Sequence, residues 1–191
     1  MAYINTFRYL GLYETSYKSY IPNFNQLSAF NNIISAYSKT TNPTEEDVVN
    51  HIDDLLKFLN YSDFIKHAAQ TQQRQSSHAD IEIVVQTTQV IIEVKKPSNT
   101  NEMPSPQSIL SKALYECIWY YFNRKDLVET YSIKHLVITD GFNYYFIKPA
   151  SIAKLKLIEN LCVKYKNKKL SLPGTSSLYQ SIARIIKDNN Y

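Results

Sequence analysis

Asp80 opens the apolar run DIEIVVQ, and Glu93 and Lys95 stand two residues apart at the end of the next one, QVIIEVKK. Two carboxylates suit a hard divalent cation. A lysine ammonium beside them suits an attacking water or a phosphate oxygen, so this set is what a metal-dependent phosphodiester hydrolase requires. The plainer alternative is a solvated charge pair, since Glu-x-Lys is common on exposed strand faces. Three features favour chemistry: VIIEVKK is otherwise apolar, Asp80 falls one strand earlier, and a helix and a further strand follow.

Strand geometry has to position these residues. Side chains alternate along a strand, so Glu93 and Lys95 share one face while Val90, Ile92 and Val94 point the other way into apolar packing. A two-residue hairpin loop at Thr87 and Thr88 sets Glu82 across from Glu93 and Asp80 across from Lys95, bringing all four to one face. The side chains of Asp80, Glu93 and Lys95 are then expected to converge on an exposed pocket at the sheet edge. On such a surface, truncating Glu93 or Lys95 removes a ligand or a charge but little core volume, and folding should be nearly intact.

The chain around them has 191 residues, 44% hydrophobic and 20% charged, with only 3 glycines and 16 tyrosines. That is one domain with an aromatic core, and no apolar run approaches the ~18 residues a spanning helix needs. The N-terminus shows no export signal, so a cytoplasmic location without membrane association is expected. Cys117 and Cys162 lack any metal-binding spacing and read as reduced core residues. The net charge of +4 is uneven: residues 1–100 carry 8 basic and 10 acidic groups, residues 101–191 carry 13 and 7. The excess includes Lys154, Lys156, Lys164, Lys166, Lys168 and Lys169, either a solvated surface or a match for a phosphate backbone.

Apolar residues at 3–4 spacing predict a helix over 23–38 and a second after Pro43, with Thr44 as its N-cap. A polar loop over 68–79 precedes the hairpin. A Pro/Ser/Asn loop then leads to a helix over 108–123, two short strands around an Asp140-Gly141 turn, a helix over 150–161 and a last helix from Ser176. The fold class is α/β, a mixed sheet of about four strands flanked by helices. Residues 1–40 form an N-terminal helical extension and 41–191 the main domain. Of the histidines, His51, His67 and His135 offer no rival centre, and His78 could approach Asp80.

The stretches IIEVKKPSNTNEM, KALYECIWYYF and IKHLVITDGFNYYFI, with LYQSIARIIK after them, resemble the PD-(D/E)xK nuclease superfamily. The resemblance is to the N-terminal nuclease domain of bacterial restriction enzymes that fuse nuclease and methyltransferase in one chain. It covers about residues 40–188 and implies a restriction-endonuclease-like core. The implied activity is Mg²⁺-dependent endonucleolytic hydrolysis of double-stranded DNA in a restriction-modification system, with Mn²⁺ as a substitute metal. Carried over by position, Asp80 and Glu93, with the Val94 carbonyl, would hold the metal and Lys95 would be the catalytic lysine. A glutamate from the preceding helix is also implied. Glu45 lies in line with Val48, Val49, Ile52 and Leu56, whereas Glu46 turns toward solvent; an acid stabilising a helix N-terminus remains an equal explanation. Lys112, Glu116 and Tyr120 match a helical pattern of the family, though a surface ion pair accounts equally for the first two. DNA contacts are expected from Lys96, Lys112, Lys164, Lys166, Lys168 and Lys169.

Two departures stand out. Glu82 occupies a position often small or apolar in the family, and the chain has no Asn-Pro-Pro-Tyr and no glycine-rich methyl-donor loop. Methyltransferase and target-recognition domains are therefore expected elsewhere in a longer chain or on a partner. The alternatives are a catalytically silent nuclease-like module for DNA binding or docking, and a stand-alone repair or transposon nuclease.

Overall fold

The computed structural model describes residues 24–67, 79–86, 88–125, 132–168 and 175–189. The expected polar loop with His78, most of the N-terminal extension, Thr87 and Lys169 lie outside the described residues. Helices α1 (Phe24–Ser38) and α2 (Glu45–Phe58) come first, then strands β1 (Ile65–His67), β2 (Ile81–Val85) and β3 (Thr88–Val94). After α3 (Lys112–Lys125) follow β4 (Ser132–Thr139), β5 (Tyr144–Ile147), α4 (Pro149–Ile152), α5 (Lys156–Lys166) and α6 (Thr175–Asp188). Among the described residues the sheet has five strands in the order β1-β2-β3-β4-β5, and only the β3/β4 pair is parallel. The fold is thus α/β with a mixed sheet flanked by helices. The strand beyond the expected four is β1, three residues too short to announce itself by period.

Strand parity divides the core. Ile81, Ile83, Ile92, Val94 and Val137 face α1 and α2, where Tyr37, Val48, Ile52 and Leu56 cover them. Ile91, Leu136, Ile138 and Ile147 face the other way, onto α3 to α6. Helix α2 starts where its chemistry directs. The Thr44 hydroxyl accepts from the Asp47 N–H and the Asp47 carboxylate accepts from the Thr44 N–H, a closed capping box with three acids in the first turn. Helix α3 is apolar nearly all round, with Leu114, Cys117, Ile118, Trp119, Tyr120 and Phe122 buried, because it is packed between the sheet and α5 and α6. In α1 the expected stripe is only half covered: Tyr37 is buried, but Phe24 and Leu27 are exposed. Cys117 and Cys162 are free and buried as expected.

Three local expectations are corrected. The hairpin does not turn at a Thr87-Thr88 pair: Val85 pairs with Thr88, and Gln86 leaves the strand with the left-handed φ of 52°. β-Branched Thr88 joins the strand, where its side chain is better accommodated. The register therefore shifts by two residues: Glu82 lies across from Ile91, not Glu93, and one step past the Ile81–Ile92 pair Asp80 comes beside Glu93, not Lys95. The expected single helix over 150–161 is two, α4 and α5, separated at Ala153–Leu155.

Tyr37 ties α1 into the fold. Its ring stacks on His51 at 4.2 Å and its hydroxyl donates to the Asp140 carbonyl at 2.8 Å. The neighbouring Gly141 has φ 86°, and a Cβ there would meet the Tyr37 ring at 2.5 Å. Gly141→Ala is therefore expected to cost at least about 2 kcal/mol, combining a strained φ with overpacking of a buried ring. Urea denaturation checks this, and an unchanged midpoint would contradict the close approach.

Candidate functional site

The β3 strand ends under α3, and there the site assembles. Glu93 pairs in register with Ile138 and Val94 with Thr139, so Glu93 and Lys95 lie at the C-terminal end of the one parallel strand pair. The Asp80 carboxylate accepts a hydrogen bond from the Val94 N–H at 2.7 Å, which fixes it across the hairpin beside Glu93. A strand residue sends its carbonyl to the same edge as its N–H, so the Val94 carbonyl leaves on the Asp80 side as well. Asp80, Glu93 and Lys95 converge as expected, but the pocket is neither exposed nor at the sheet edge. Glu93 is 2% and Lys95 6% exposed, on the central strand. What covers it is tertiary: helix α3 packs on β3 and brings Glu116 onto Lys95. Folding is thus not expected to be indifferent to truncation here.

The lysine is gripped from two sides. Its ammonium contacts Glu93 Oε1 and lies 2.9 Å from Glu116 Oε2 on α3. Glu116 in turn faces Lys112 at 4.0 Å, and Lys112 pairs with Glu102 of the preceding loop at 3.0 Å. Charges therefore alternate from the loop into the site. Burial opposes the positive charge on Lys95, but Glu93 and Glu116 more than offset it and hold its pKa well above the ordinary value. Glu93 moves the other way from a normal glutamate. Its burial, with Asp80 and Glu116 close by, raises its pKa well above the usual carboxylate range despite Lys95. Burial also raises Asp80, against the Val94 hydrogen bond and Lys95, with Glu45 and Glu116 adding to the rise. Negative charge is thus in excess, and the buried Glu93 Oε2 finds no hydrogen-bond donor among the described residues.

Such a site suits a divalent cation. Among the described residues no three His, Cys, Asp or Glu side chains form a ready-made metal cluster. Mg²⁺ keeps several waters and is usually held through one or two carboxylates, so Asp80, Glu93 and the Val94 carbonyl make a sufficient set. Glu45, exposed at the first turn of α2, is near enough to act on the charge of Asp80. Glu82 shares their face but is engaged by the Gln89 amide at 2.8 Å.

The expected DNA-contact lysines scatter. Lys96 is half-buried next to the site and Lys112 is held by Glu102. Lys166 donates to the Asn123 carbonyl at 2.8 Å, about two helical turns along α3 from Glu116, with Lys164 and Lys168 exposed near it. The residue that the opening set lacked is Glu116. Its signal was present in the i,i+4 pairing with Tyr120 on the α3 face that also carries buried Cys117. Tyr120 is buried beside the cluster, and its burial, with Glu93 and Glu116 near, keeps the phenol protonated.

These features define a mixed α/β domain with a buried acid-acid-lysine cluster at the end of a parallel strand pair. The chain belongs to the family described as Domain of unknown function (DUF7149), whose model matches residues 12–190. No curated protein and no solved structure matches the chain. No helix among the described residues is long and apolar enough to cross a membrane.

Proposed function

We propose that this chain is the nuclease module of a restriction-modification enzyme, hydrolysing DNA phosphodiester bonds with Mg²⁺. The observation that carries this reading is the convergence of Asp80, Glu93 and charged Lys95, with a donorless Glu93 oxygen in a site of excess negative charge. The order of elements around it, a helix, an antiparallel hairpin, a helix and a parallel strand, agrees with the resemblance to the PD-(D/E)xK superfamily. Asp80, Glu93 and the Val94 carbonyl would hold the cation, with Glu45 at the rim. When bound, Mg²⁺ would lower the pKa of a water and offset charge on the phosphate oxygens. Asp80 is positioned by the Val94 N–H, so its carboxylate needs no reorganisation on binding. Lys95, kept charged by Glu93 and Glu116, orients the attacking water and stabilises the charge that grows on the phosphoryl group as the leaving oxygen departs. Glu116 acts through Lys95 by holding it in place, and the closed α3 side excludes bulk water, which strengthens both effects.

The second reading, a nuclease-like fold that no longer cuts, draws on the burial of Lys95 between two acids. Plasmid nicking separates the two. Mg²⁺-dependent nicking is expected in the wild type and a loss on the order of 10²–10³-fold or more in Asp80→Asn, which keeps the shape and the partly exposed setting of the side chain. A wild type that leaves plasmid intact with both Mg²⁺ and Mn²⁺, or an Asp80→Asn protein of full activity, would refute the nuclease assignment.

A further inference from the structure

Outside the acidic cluster, a cavity of about 500 Å³ opens between the segment preceding α3 and the last turns of α6. Leu110, Tyr115 and Ala183 give it apolar walls, and Arg184, Lys187 and Asp188 line the rest. Its size falls in the ~300–1,000 Å³ range of organic ligand sites. Arg184 and Lys187 are exposed and make no ion pair among the described residues, so two cations face one acid. The cavity is close to the site along the chain. Tyr115 adjoins Glu116, and Leu110 stands two residues before Lys112, which bridges Glu102 and Glu116. Neighbouring Cα atoms are ~3.8 Å apart, so one helical turn carries both the cavity wall and the carboxylate that grips Lys95.

An apolar wall with a tyrosine, bordered by two exposed cations, matches a group that is flat and apolar at one end and anionic at the other. A nucleotide has that chemistry, but in a continuous duplex both faces of its base are already stacked. We propose, resting on the nuclease reading, that this cavity receives one unstacked nucleotide of the DNA strand, with its base against Leu110, Tyr115 and Ala183 and its phosphates beside Arg184 and Lys187. Binding is then tightest where a nucleotide next to the cut is unstacked, as at an overhang, a flap or a base pair opened within the duplex.

Fluorescence anisotropy with a short labelled oligothymidylate and a blunt duplex of equal length, in Ca²⁺, tests this on the full chain. The single strand is expected to bind at least about tenfold more tightly than the duplex. Arg184→Glu/Lys187→Glu should weaken single-strand binding about tenfold and reduce the log–log salt slope by about 1.4, the contribution of two phosphates. Leu110→Gln, at an exposed position, should weaken it without altering the salt slope of the remaining contacts. Equal or tighter binding of the blunt duplex, no binding at all, or unchanged affinity in the double variant would overturn the proposal. The nuclease reading fails separately. A wild type that prefers single strands through Arg184 and Lys187 but never cuts with Mg²⁺ defeats that reading and leaves the cavity's role intact. One that cuts without needing these two residues does the reverse.

Discussion

Lys95→Met is expected to abolish cleavage and to destabilise the fold by about 3–5 kcal/mol, because it leaves Glu93 and Glu116 facing each other in a closed space without their cation. The loss should depend on pH. With the ammonium gone, Glu93 is held protonated to higher pH in the folded state than in the unfolded chain, so the folded state binds more protons and stability falls as pH rises. Acidification should therefore recover part of the lost stability. Replacing the whole cluster, Lys95→Met with Glu93→Gln and Glu116→Gln, should restore stability at neutral pH, since neutral groups need no counter-charge, but should leave the protein inactive. Chemical denaturation across pH, run with a nicking assay, reads both effects. A Lys95→Met protein as stable as the wild type would mean that the ion cluster does not exist in solution.

That expectation differs from the one the sequence supports, and the difference shows what a sequence can carry. Parity is local: Glu93 and Lys95 two apart, with Val90, Ile92 and Val94 between and before them, fixes which side chains share a face whatever the loop does. A shift of the register by two preserves parity, so Asp80 stays on the face of Glu93 and Lys95 and comes beside Glu93 in place of Lys95. The turn's position was not legible, because Gln86 adopts a left-handed φ that its residue type does not announce. Burial was invisible for a stronger reason. Whether a Glu-x-Lys face meets water or a helix depends on how α3 is set against β3, and the start of α3 is tied to the preceding loop by the Ala113 N–H donating to the Glu102 carbonyl and by Lys112 reaching Glu102. Those contacts join residues ten or more apart without periodic signature. Glu116 shows the same limit: its i,i+4 spacing with Lys112 suits a surface pair, and only the packing of α3 against β3 turns its carboxylate onto Lys95.

Glu93→Gln should stabilise the protein without metal at neutral pH, an unusual outcome for a substitution at a site residue. Glu93, Glu116 and Lys95 together carry one negative charge more than they neutralise, and Asp80 adds to it. The glutamine leaves Lys95 paired with Glu116 alone, a balanced pair of similar volume. The sign follows from the raised pKa of Glu93. Below the ordinary glutamate value of 4.5 the carboxyl is neutral in both states and contributes nothing. As pH rises from there through the elevated folded value, the unfolded chain ionises first and stability is lost. The wild type should thus lose stability with rising pH in the window above 4.5, and Glu93→Gln should flatten that slope. A gain of about 1 kcal/mol would appear as roughly 2–4 °C in melting temperature for a chain of this size. Mg²⁺ should act in the opposite sense, because it competes with the protons on Glu93 and Asp80. Added Mg²⁺ should raise the wild-type melting temperature, more at pH 8 than at pH 6, and do much less in Glu93→Gln and Asp80→Asn. Thermal melts over pH with and without Mg²⁺ measure all of this. An identical Mg²⁺ shift in wild type and both variants would place the cation elsewhere and remove the basis for a metal-assisted reaction at this strand end.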